Sequence, residues 1–240
     1  MEHLRTQNWV AVVLDFFIVV VGVFVGIQVD NWNQARISQG KELEYLSLLD
    51  RDLERGVSVL EQLSANIGQH VSAAQLISRS SGRTDIDVVD IEKAFSKLYM
   101  TYAYVPQQST YIGLRNGAHL DILRDTELRS ALVDFFEVRQ NRFQAEYIRD
   151  YTLTQQRLHR HLANYVRFLP AERLDAFATP PDNLHWTKLI APLSALDEDV
   201  EFLNDLAELG ARGDEILGVI DVLMTELNAM RTTIDSQLNE

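Results

Sequence analysis

The most distinctive pattern along the chain is an apolar stretch near its beginning. From Trp9 to Val29 only two residues are strongly polar, the carboxylate Asp15 and one glutamine, and Trp32 follows shortly after. At about 1.5 Å per helical residue, Trp9 and Trp32 lie roughly 35 Å apart, which matches a bilayer core plus part of each interface. Tryptophan favours these interfaces because its apolar ring carries one hydrogen-bond donor. We therefore expect a single transmembrane helix at about residues 9–29, anchored by Trp9 and Trp32.

Two other structures produce a similar stretch. A buried core helix is one, but such a long apolar run this early in a chain is more typical of a membrane span. A cleaved secretory signal is the other, and it usually has a shorter apolar run that ends in small residues. This run instead ends in the bulky and charged sequence from Gln28 to Trp32. The pattern therefore favours a span that is retained.

One face of the predicted span carries Asp15, Gly22 and Gly26, which are separated by seven and four residues. Helical geometry places these three residues on the same side. The two glycines form a GxxxG pattern, which lets a second helix approach closely in a membrane. An ionisable residue is least costly where it faces protein or water, so this face predicts a helix–helix contact. Two alternatives remain for Asp15, namely a shallow position from which it reaches the headgroups and a role in ion or proton passage.

Beyond the span, apolar residues recur with helical spacing and no segment alternates with period two. A row with seven-residue spacing predicts a first long helix from about Gln34 to Ser80, after the span or continuous with it. We call this the heptad row, and it consists of Leu46, Leu53, Leu60, Ile67 and Ala74, with Leu49, Leu63 and Ile77 beside it. We therefore expect an all-α fold, with residues 1–33 holding the span and residues 34–240 forming a helical domain.

Two further long helices are expected. The first begins at Thr126 with Asp125 as its N-cap and ends at Pro170. The last opens at Ser194–Asp197, which matches the capping-box pattern. Short helices between residues 88 and 123 complete the domain. The simplest arrangement is an elongated antiparallel bundle of three long helices, with the short helices capping one end.

Two local sequences predict interruptions. The pair Pro180-Pro181 predicts a loop or a kinked connection between the second and third long helices. Gly210 and Gly213 weaken the last helix midway, where we expect a kink or a break.

The distribution of charge predicts which helices are neighbours. Residues 139–167 carry six arginines and two acidic residues, a net charge of +4, whereas residues 196–240 carry −10. Packing these segments together relieves the self-repulsion of both, although each exposed ion pair adds only about 0.2–1 kcal/mol. Alternatively, the basic segment docks an acidic protein partner.

Composition excludes several classes of function. The net charge of −13 disfavours nucleic-acid binding, which relies on clustered positive charge. The chain has no cysteine, which excludes disulfides, thiolate metal sites and cysteine nucleophiles. No phosphate-binding loop, nucleophile elbow or HExxH motif is present. The sequence therefore predicts no catalytic, cofactor-binding or metal-ligating residue.

The histidines give no metal site either. His159 and His161 are two residues apart on a helix and point in different directions, which prevents shared ligation. His70 falls at the apolar edge of the first long helix, where a hydrogen-bonded core histidine is the simpler interpretation. The spacing of Asp182 and His185 is a weak metal-binding pattern without a second copy.

If the chain were an enzyme, its site would be assembled from residues distant in sequence. The one candidate polar cluster is Tyr111, Arg115 and Asn116, on a short helix closed by Asn116-Gly117. An enzyme would need these residues to meet charged residues of another helix in a cleft.

Several stretches of the chain carry a resemblance to a known family. They are DFFIVVVGVFVGIQVDNWN at residues 15–33, EYLSLLDRDL at 44–53, Ser109-Thr110-Tyr111, Leu114, Asn116-Gly117, Leu120, Asp125, Leu128-Arg129, Leu132, and EFLNDL at 201–206. Together they resemble the bacterial DUF6090 proteins, a family of membrane-anchored proteins without an assigned function. The resemblance covers nearly the whole chain and implies an integral membrane protein with a helical domain. It carries over no activity, substrate or catalytic residue.

The orientation of the span is not fixed by charge, because Arg5 and the amino terminus on one side balance Arg36 and Lys41 on the other. Many members of the family begin with a basic stretch, and this chain departs from that. We favour a protein of the bacterial inner membrane with its N-terminus inside and its helical domain in the periplasm.

The sequence as a whole favours a non-enzymatic protein that acts in assembly or scaffolding. Its expected contacts are membrane lipid and further copies of itself, joined through the span and the first long helix, with a separate protein as a further candidate partner. The first alternative is a sensor-like module that binds a small ligand outside the cytoplasm and works with a separate output partner. The second is the enzyme described above.

Overall fold

The computed structural model describes residues 7–80, 83, 85–169 and 186–239. Helices dominate this part of the chain, which confirms the all-α fold class. The helices are α1 (Gln7–Ser80), α2 (Val88–Tyr99), α3 (Ser109–Asn116), α4 (Thr126–Val133), α5 (Gln140–Arg142), α6 (Arg149–Tyr165) and α7 (Val200–Leu238). Short 3₁₀ turns cover Leu120–Ile122 and Leu193–Glu198. The predicted Pro180-Pro181 connection and the Asp182–His185 pattern lie outside the described residues.

Helices α4, α5 and α6 form one continuous helix, which we call the middle helix. Two π-helical segments, Asp134–Arg139 and Phe143–Ile148, join its three parts. Each π-helical turn shifts the helical register. The chain begins this helix as the sequence predicts, because Asp125 accepts hydrogen bonds from the backbone amides of Glu127 and Leu128 at 2.8 and 3.0 Å.

Helix α1 runs through both parts of the molecule without a break. It has 74 residues, which corresponds to about 110 Å. The predicted span and the first long helix are therefore one helix. All members of the heptad row and of its neighbouring row are buried, and α1 packs mainly against α7. The heptad row thus forms the interior of the chain's own bundle.

The three long helices do not all alternate in direction. Helix α7 runs antiparallel to α1, since Arg231 pairs with Asp50 and Gly213 packs beside Val71. The middle helix runs parallel to α1, because its early end lies near Glu42 and its residue Tyr151 contacts His70. This differs from the expected arrangement, in which each long helix is antiparallel to the next.

The parallel direction follows from the path of the chain between α1 and the middle helix. Helix α2 lies at the end of the bundle far from the span, where Phe95 stacks against Tyr165 and Phe202. Helix α3 begins beside Asp52, much nearer the span. The short helices therefore lie along the side of α1 and bring the chain back, whereas the sequence analysis expected them to cap one end.

The middle helix ends at Tyr165, earlier than the expected end at Pro170. Val166 adopts an extended conformation, and strand β1 (Val166–Phe168) pairs antiparallel with strand β2 (Thr187–Leu189). Both strands dock on α2, where the Thr187 hydroxyl donates to the carbonyl of Glu92 at 2.6 Å. These long-range contacts stabilise an extended conformation that helical spacing alone does not indicate.

Helix α7 begins later than the capping-box pattern at Ser194–Asp197 predicts. Asp199 is its N-cap, and the carboxylate accepts from the amide of Phe202 at 3.0 Å. The second oxygen of Asp199 accepts from the Tyr165 hydroxyl at 2.7 Å. This contact with the middle helix holds the start of α7 two residues beyond Asp197.

The predicted pairing of the basic and acidic segments is present. Arg157 of the middle helix contacts Asp205 at 3.3 Å and also Glu208, both on α7. Farther along, Arg139 pairs with Glu226 at 2.7 Å. The side chains are partly exposed, so these pairs select the neighbour more than they stabilise the fold.

Helix α7 is continuous for 39 residues and has no break at Gly210 or Gly213. Gly213 instead permits a close approach between helices, because a Cβ atom there would collide with Val71 of α1 and touch Tyr151 of the middle helix. A Cβ atom at Gly210 would have no neighbour within 4 Å. The two glycines therefore have different roles.

We predict opposite effects for alanine at these two glycines. Gly213→Ala forces α1 and α7 apart and should lower the free energy of unfolding by about 1–3 kcal/mol. Gly210→Ala adds helix propensity without a collision and should raise it by about 0.5–1 kcal/mol. Denaturation of the full-length chain in detergent, followed by circular dichroism at 222 nm, measures both. Equal effects of the two variants would contradict the proposed contact.

Candidate functional site

The apolar part of α1 lies outside the bundle. Helix α1 is long and apolar enough to cross a membrane, and none of its apolar window is buried. Every residue from Val12 to Lys41 is exposed, and so are Trp9 and Trp32, at 73% and 68%. An exposed apolar surface of this size is unusual in a protein surrounded by water.

The face that carries Asp15, Gly22 and Gly26 has no contact with the rest of the described chain. A Cβ atom at either glycine would have no neighbour within 4 Å. The two glycines thus leave a shallow groove on an exposed helix, and Asp15 lies about two turns before it. The structure places the three residues on one side of α1, as the sequence predicts.

A short exposed part of α1 separates the apolar stretch from the bundle. We call residues 30–41 the stalk, which spans about 18 Å. Glu42 is the first buried residue after it along α1. The stalk makes α1 the direct connection between the apolar stretch and the bundle.

Carboxylates hold together the end of the bundle next to the stalk. Glu42 accepts from the backbone amide of Arg124 at 2.7 Å and pairs with its guanidinium at 3.1 Å. Asp50 pairs with Arg231 of α7 at 2.9 Å. Asp125 also accepts from Gln237, near the end of α7, at 2.6 Å. These contacts tie α1, the middle helix and α7 together just beyond the stalk.

Asp52 connects two parts of the chain that are far apart in sequence. Its carboxylate accepts from the Ser109 hydroxyl at 2.9 Å and from the Thr110 amide at 2.7 Å. It therefore caps the start of α3 from another helix. Burial favours the neutral form of Asp52, but these hydrogen bonds and the charge of Arg55 outweigh it and hold the pKa below its usual value.

The polar cluster of Tyr111, Arg115 and Asn116 meets a charged residue of another helix, as the enzyme hypothesis requires. The Tyr111 hydroxyl and Arg115 both donate to one oxygen of Glu137, at 2.9 and 2.5 Å. Arg115 also contacts the side chain of Asn116 at 3.4 Å. Tyr111 is buried and stacks on Phe136, and burial together with the Glu137 contact raises its pKa to about 12.

These polar groups bind one another. The hydrogen bonds from Arg115 and Tyr111 lower the pKa of Glu137 and keep it as a charged acceptor. The most distinct pockets formed by the described residues lie elsewhere. The cluster thus fixes α3 against the middle helix.

The largest of these pockets lies beside the stalk and has a volume of about 590 Å³. One wall is α1, with Lys41, Glu44 and Tyr45, and the other is the segment that includes His119 and Arg124. Its size is in the range of small-molecule sites. Its walls carry charges of both signs.

The histidines occupy separate positions. His70 is fully buried, and its Nδ1 lies 2.8 Å from the Tyr151 hydroxyl, so it is a hydrogen-bonded core histidine as predicted. His159 contacts the carbonyl of Leu98, whereas His161 faces Asp199 and Asp205 of α7. Within the described part of the chain, no group of three or more histidine or acidic side chains is arranged to hold a metal ion.

Sequence analysis missed the role of the acidic residues on α1. Glu42 and Asp52 are buried although they are charged, and each accepts hydrogen bonds from a segment near residues 109–124. The available signal was their position beside the apolar rows of α1, since an unpaired charge is costly next to a core.

Comparison with known families gives one match. The model of DUF6090, described as a family of unknown function, matches residues 15–169. This range includes most of the apolar stretch, the stalk, the Asp52 contact and the middle helix. Comparison with curated proteins and with solved structures gave no match.

We predict that Asp52→Ala destabilises the bundle by about 1–3 kcal/mol, because it leaves the Ser109 hydroxyl and the Thr110 amide without their acceptor. Asp221→Ala is the matched control, since Asp221 is exposed on α7, and should change stability by less than about 0.5 kcal/mol. Chemical denaturation of the full-length variants measures the difference. A loss for Asp52→Ala no larger than that for the control would refute this role.

Proposed function

We propose that this chain, which belongs to the DUF6090 family, is a single-pass membrane protein that anchors a helical scaffold and assembles with copies of itself. The observation that carries the proposal is the wholly exposed apolar stretch of α1, continuous with the core helix of the bundle. Lipid removes that apolar surface from water, which is favourable by about 25 cal/mol per Å². A continuous helix then transmits the position of the span directly to the bundle.

Self-association is proposed to occur through the membrane span. The heptad row is filled by contacts inside the chain and is not free for a second copy. The face with Asp15, Gly22 and Gly26 has no such internal contact. Small residues favour close helix packing in lipid, and a partner helix would also shield Asp15.

We predict that single cysteines at Gly22 and Gly26 crosslink two copies of the full-length chain in native membranes. Phe24→Cys is the matched control, because residue 24 lies on the opposite side of the helix and should crosslink at least several-fold less. The dimer band on a non-reducing gel measures this. Equal crosslinking at all three positions, or none at Gly22 and Gly26, would contradict the proposed contact.

The proposed location is the bacterial inner membrane, with the bundle in the periplasm. Long domains cross membranes largely regardless of charge, which supports this orientation despite the balanced charges beside the span.

We predict that a reporter fused after Glu240 is active only if it is of the type that functions outside the cytoplasm. Activity of a reporter that works only in the cytoplasm would reverse the orientation.

The sensor-like alternative has one observation in its favour, the 590 Å³ pocket beside the stalk. A ligand bound there would contact α1 directly above the membrane. A reproducible rise in the unfolding temperature with one small molecule, lost on Lys41→Ala, would favour that function over a scaffold.

A further inference from the structure

A buried polar cluster surrounds His70 in the distal half of the bundle. His70 has no exposed surface, although histidine is an ionisable residue. Its ring lies 5.0 Å from that of Tyr102, in the segment after α2, and stacks on Tyr151 of the middle helix at 6.1 Å. Tyr151 in turn lies beside Gly213 of α7. His70 therefore occupies the point where α1, the middle helix, α7 and the segment after α2 meet.

The hydrogen bonds around His70 fit a neutral ring. Its Nδ1 is 2.8 Å from the Tyr151 hydroxyl, and among the described residues its Nε2 makes no hydrogen bond of standard geometry. The Tyr102 hydroxyl and the side-chain oxygens of Asn66 and Gln69 are buried and likewise lack a partner among the described residues. With the hydrogen of Tyr151 donated to Nδ1, the neutral imidazole carries its own hydrogen on Nε2.

Within the part of the chain that the structure describes, no negative charge compensates a proton on His70. The titratable groups that face it are Tyr102, Tyr151 and His159, and none of them is anionic near neutral pH. Burial lowers the pKa of His70 to about 4, and the charge of His159 acts in the same direction. The carbonyls of Lys97 and Met100 at the end of α2 oppose this effect and favour a proton.

The part of this cluster that lies outside the long helices is the segment from Met100 to Tyr104. It has no regular secondary structure. Gln155 holds the carbonyl of Met100, but the hydroxyl of Tyr102 has no hydrogen bond within the described chain. Displacement of this segment would break the Gln155 contact and the packing of Tyr104 on Phe143, but no hydrogen bond of Tyr102 to the described residues, and it would bring water to the imidazole.

We propose that His70 is an acid-sensitive latch that holds the segment after α2 against α1. At neutral pH the uncharged imidazole, Tyr102 and Tyr151 pack together and close the distal half of the bundle. In acid the imidazole takes a proton, the charged ring requires water, and residues 100–104 move away from α1. The latch lies at least 28 residues beyond the stalk along α1, or about 42 Å, so the base of the bundle and the span remain in place.

The direction of the pH effect follows from the two states of His70. In an unfolded or opened chain, His70 binds a proton near pH 6.5, whereas in the closed bundle it binds one only near pH 4. The open state therefore gains protons first as the pH falls. The latch therefore stabilises the closed state fully above pH 6.5. This stabilisation is lost as the pH falls from about 6.5 to 4.

The test compares full-length wild type with His70→Gln in lipid nanodiscs. Glutamine keeps hydrogen-bonding groups but cannot titrate. Between pH 7 and pH 4.5, the equilibrium constant for opening of residues 98–108 should rise in wild type by roughly fiftyfold to a hundredfold more than in His70→Gln. Hydrogen exchange of that segment, corrected for the intrinsic effect of pH, measures opening. His119→Gln replaces an exposed histidine and should behave as wild type.

Two results would overturn the proposal. One is the same pH dependence of exchange in wild type and in His70→Gln. The other comes from wild type alone and applies even if His70→Gln does not fold. In wild type at pH 5.5, the carbon-13 chemical shift of the His70 imidazole should still be that of the neutral ring. Titration of this resonance at pH 6–7, without a change in the hydrogen exchange of residues 98–108, would exclude the latch.

Discussion

In the membrane-anchored protein proposed above, a single continuous helix contacts two solvents, lipid and water. The first part of α1 exposes apolar side chains on all sides, whereas the part after Glu42 buries one face and exposes polar residues on the other. In the proposed anchored protein, lipid covers the first pattern, and a folded bundle in water suits the second. Because no break separates the parts, the position of the bundle depends on the position of the span.

The bundle strengthens this dependence at its base. Glu42, Asp50 and Asp52 lie within about three turns of α1 and bind the segment before the middle helix, α7 and α3 respectively. A rotation or tilt of α1 therefore acts on each element that packs against it. Farther out, Gly213 lets α7 touch α1 closely, so the distal half is held by packing and by the neutral His70 cluster. The scaffold proposed here is thus rigid near the membrane and adjustable at its far end.

Much of this architecture is readable from the sequence because its causes are local. The heptad row, the N-cap at Asp125 and the pairing of opposite charges are short-range or periodic patterns. The end of the middle helix at Tyr165 and the start of α7 at Asp199 are not, because contacts with distant segments decide them. The parallel direction of the middle helix likewise depends on the path between α1 and α4, where short helices carry little directional information.

The contacts of the candidate sites are likewise of two kinds, those that helical periodicity predicts and those that depend on distant segments. The grouping of Asp15, Gly22 and Gly26 on one face is a property of helical periodicity. Tyr111 and Arg115 are adjacent for the same reason, but their shared acceptor Glu137 comes from a π-helical segment whose shifted register no pattern reveals. The partners of Asp52 lie more than fifty residues away, so its position beside the apolar rows of α1 indicates that it needs a partner but not which residues supply it.

Depth-dependent quenching of tryptophan in lipid vesicles tests the central claim most directly. In full-length variants that keep one tryptophan each, quenchers at the headgroup level should reduce the fluorescence of Trp9 and of Trp32, while Trp186 in the bundle stays unaffected. The account would be contradicted by a chain that stays in solution without detergent or lipid and in which the quenchers do not reduce the fluorescence of Trp9 and Trp32.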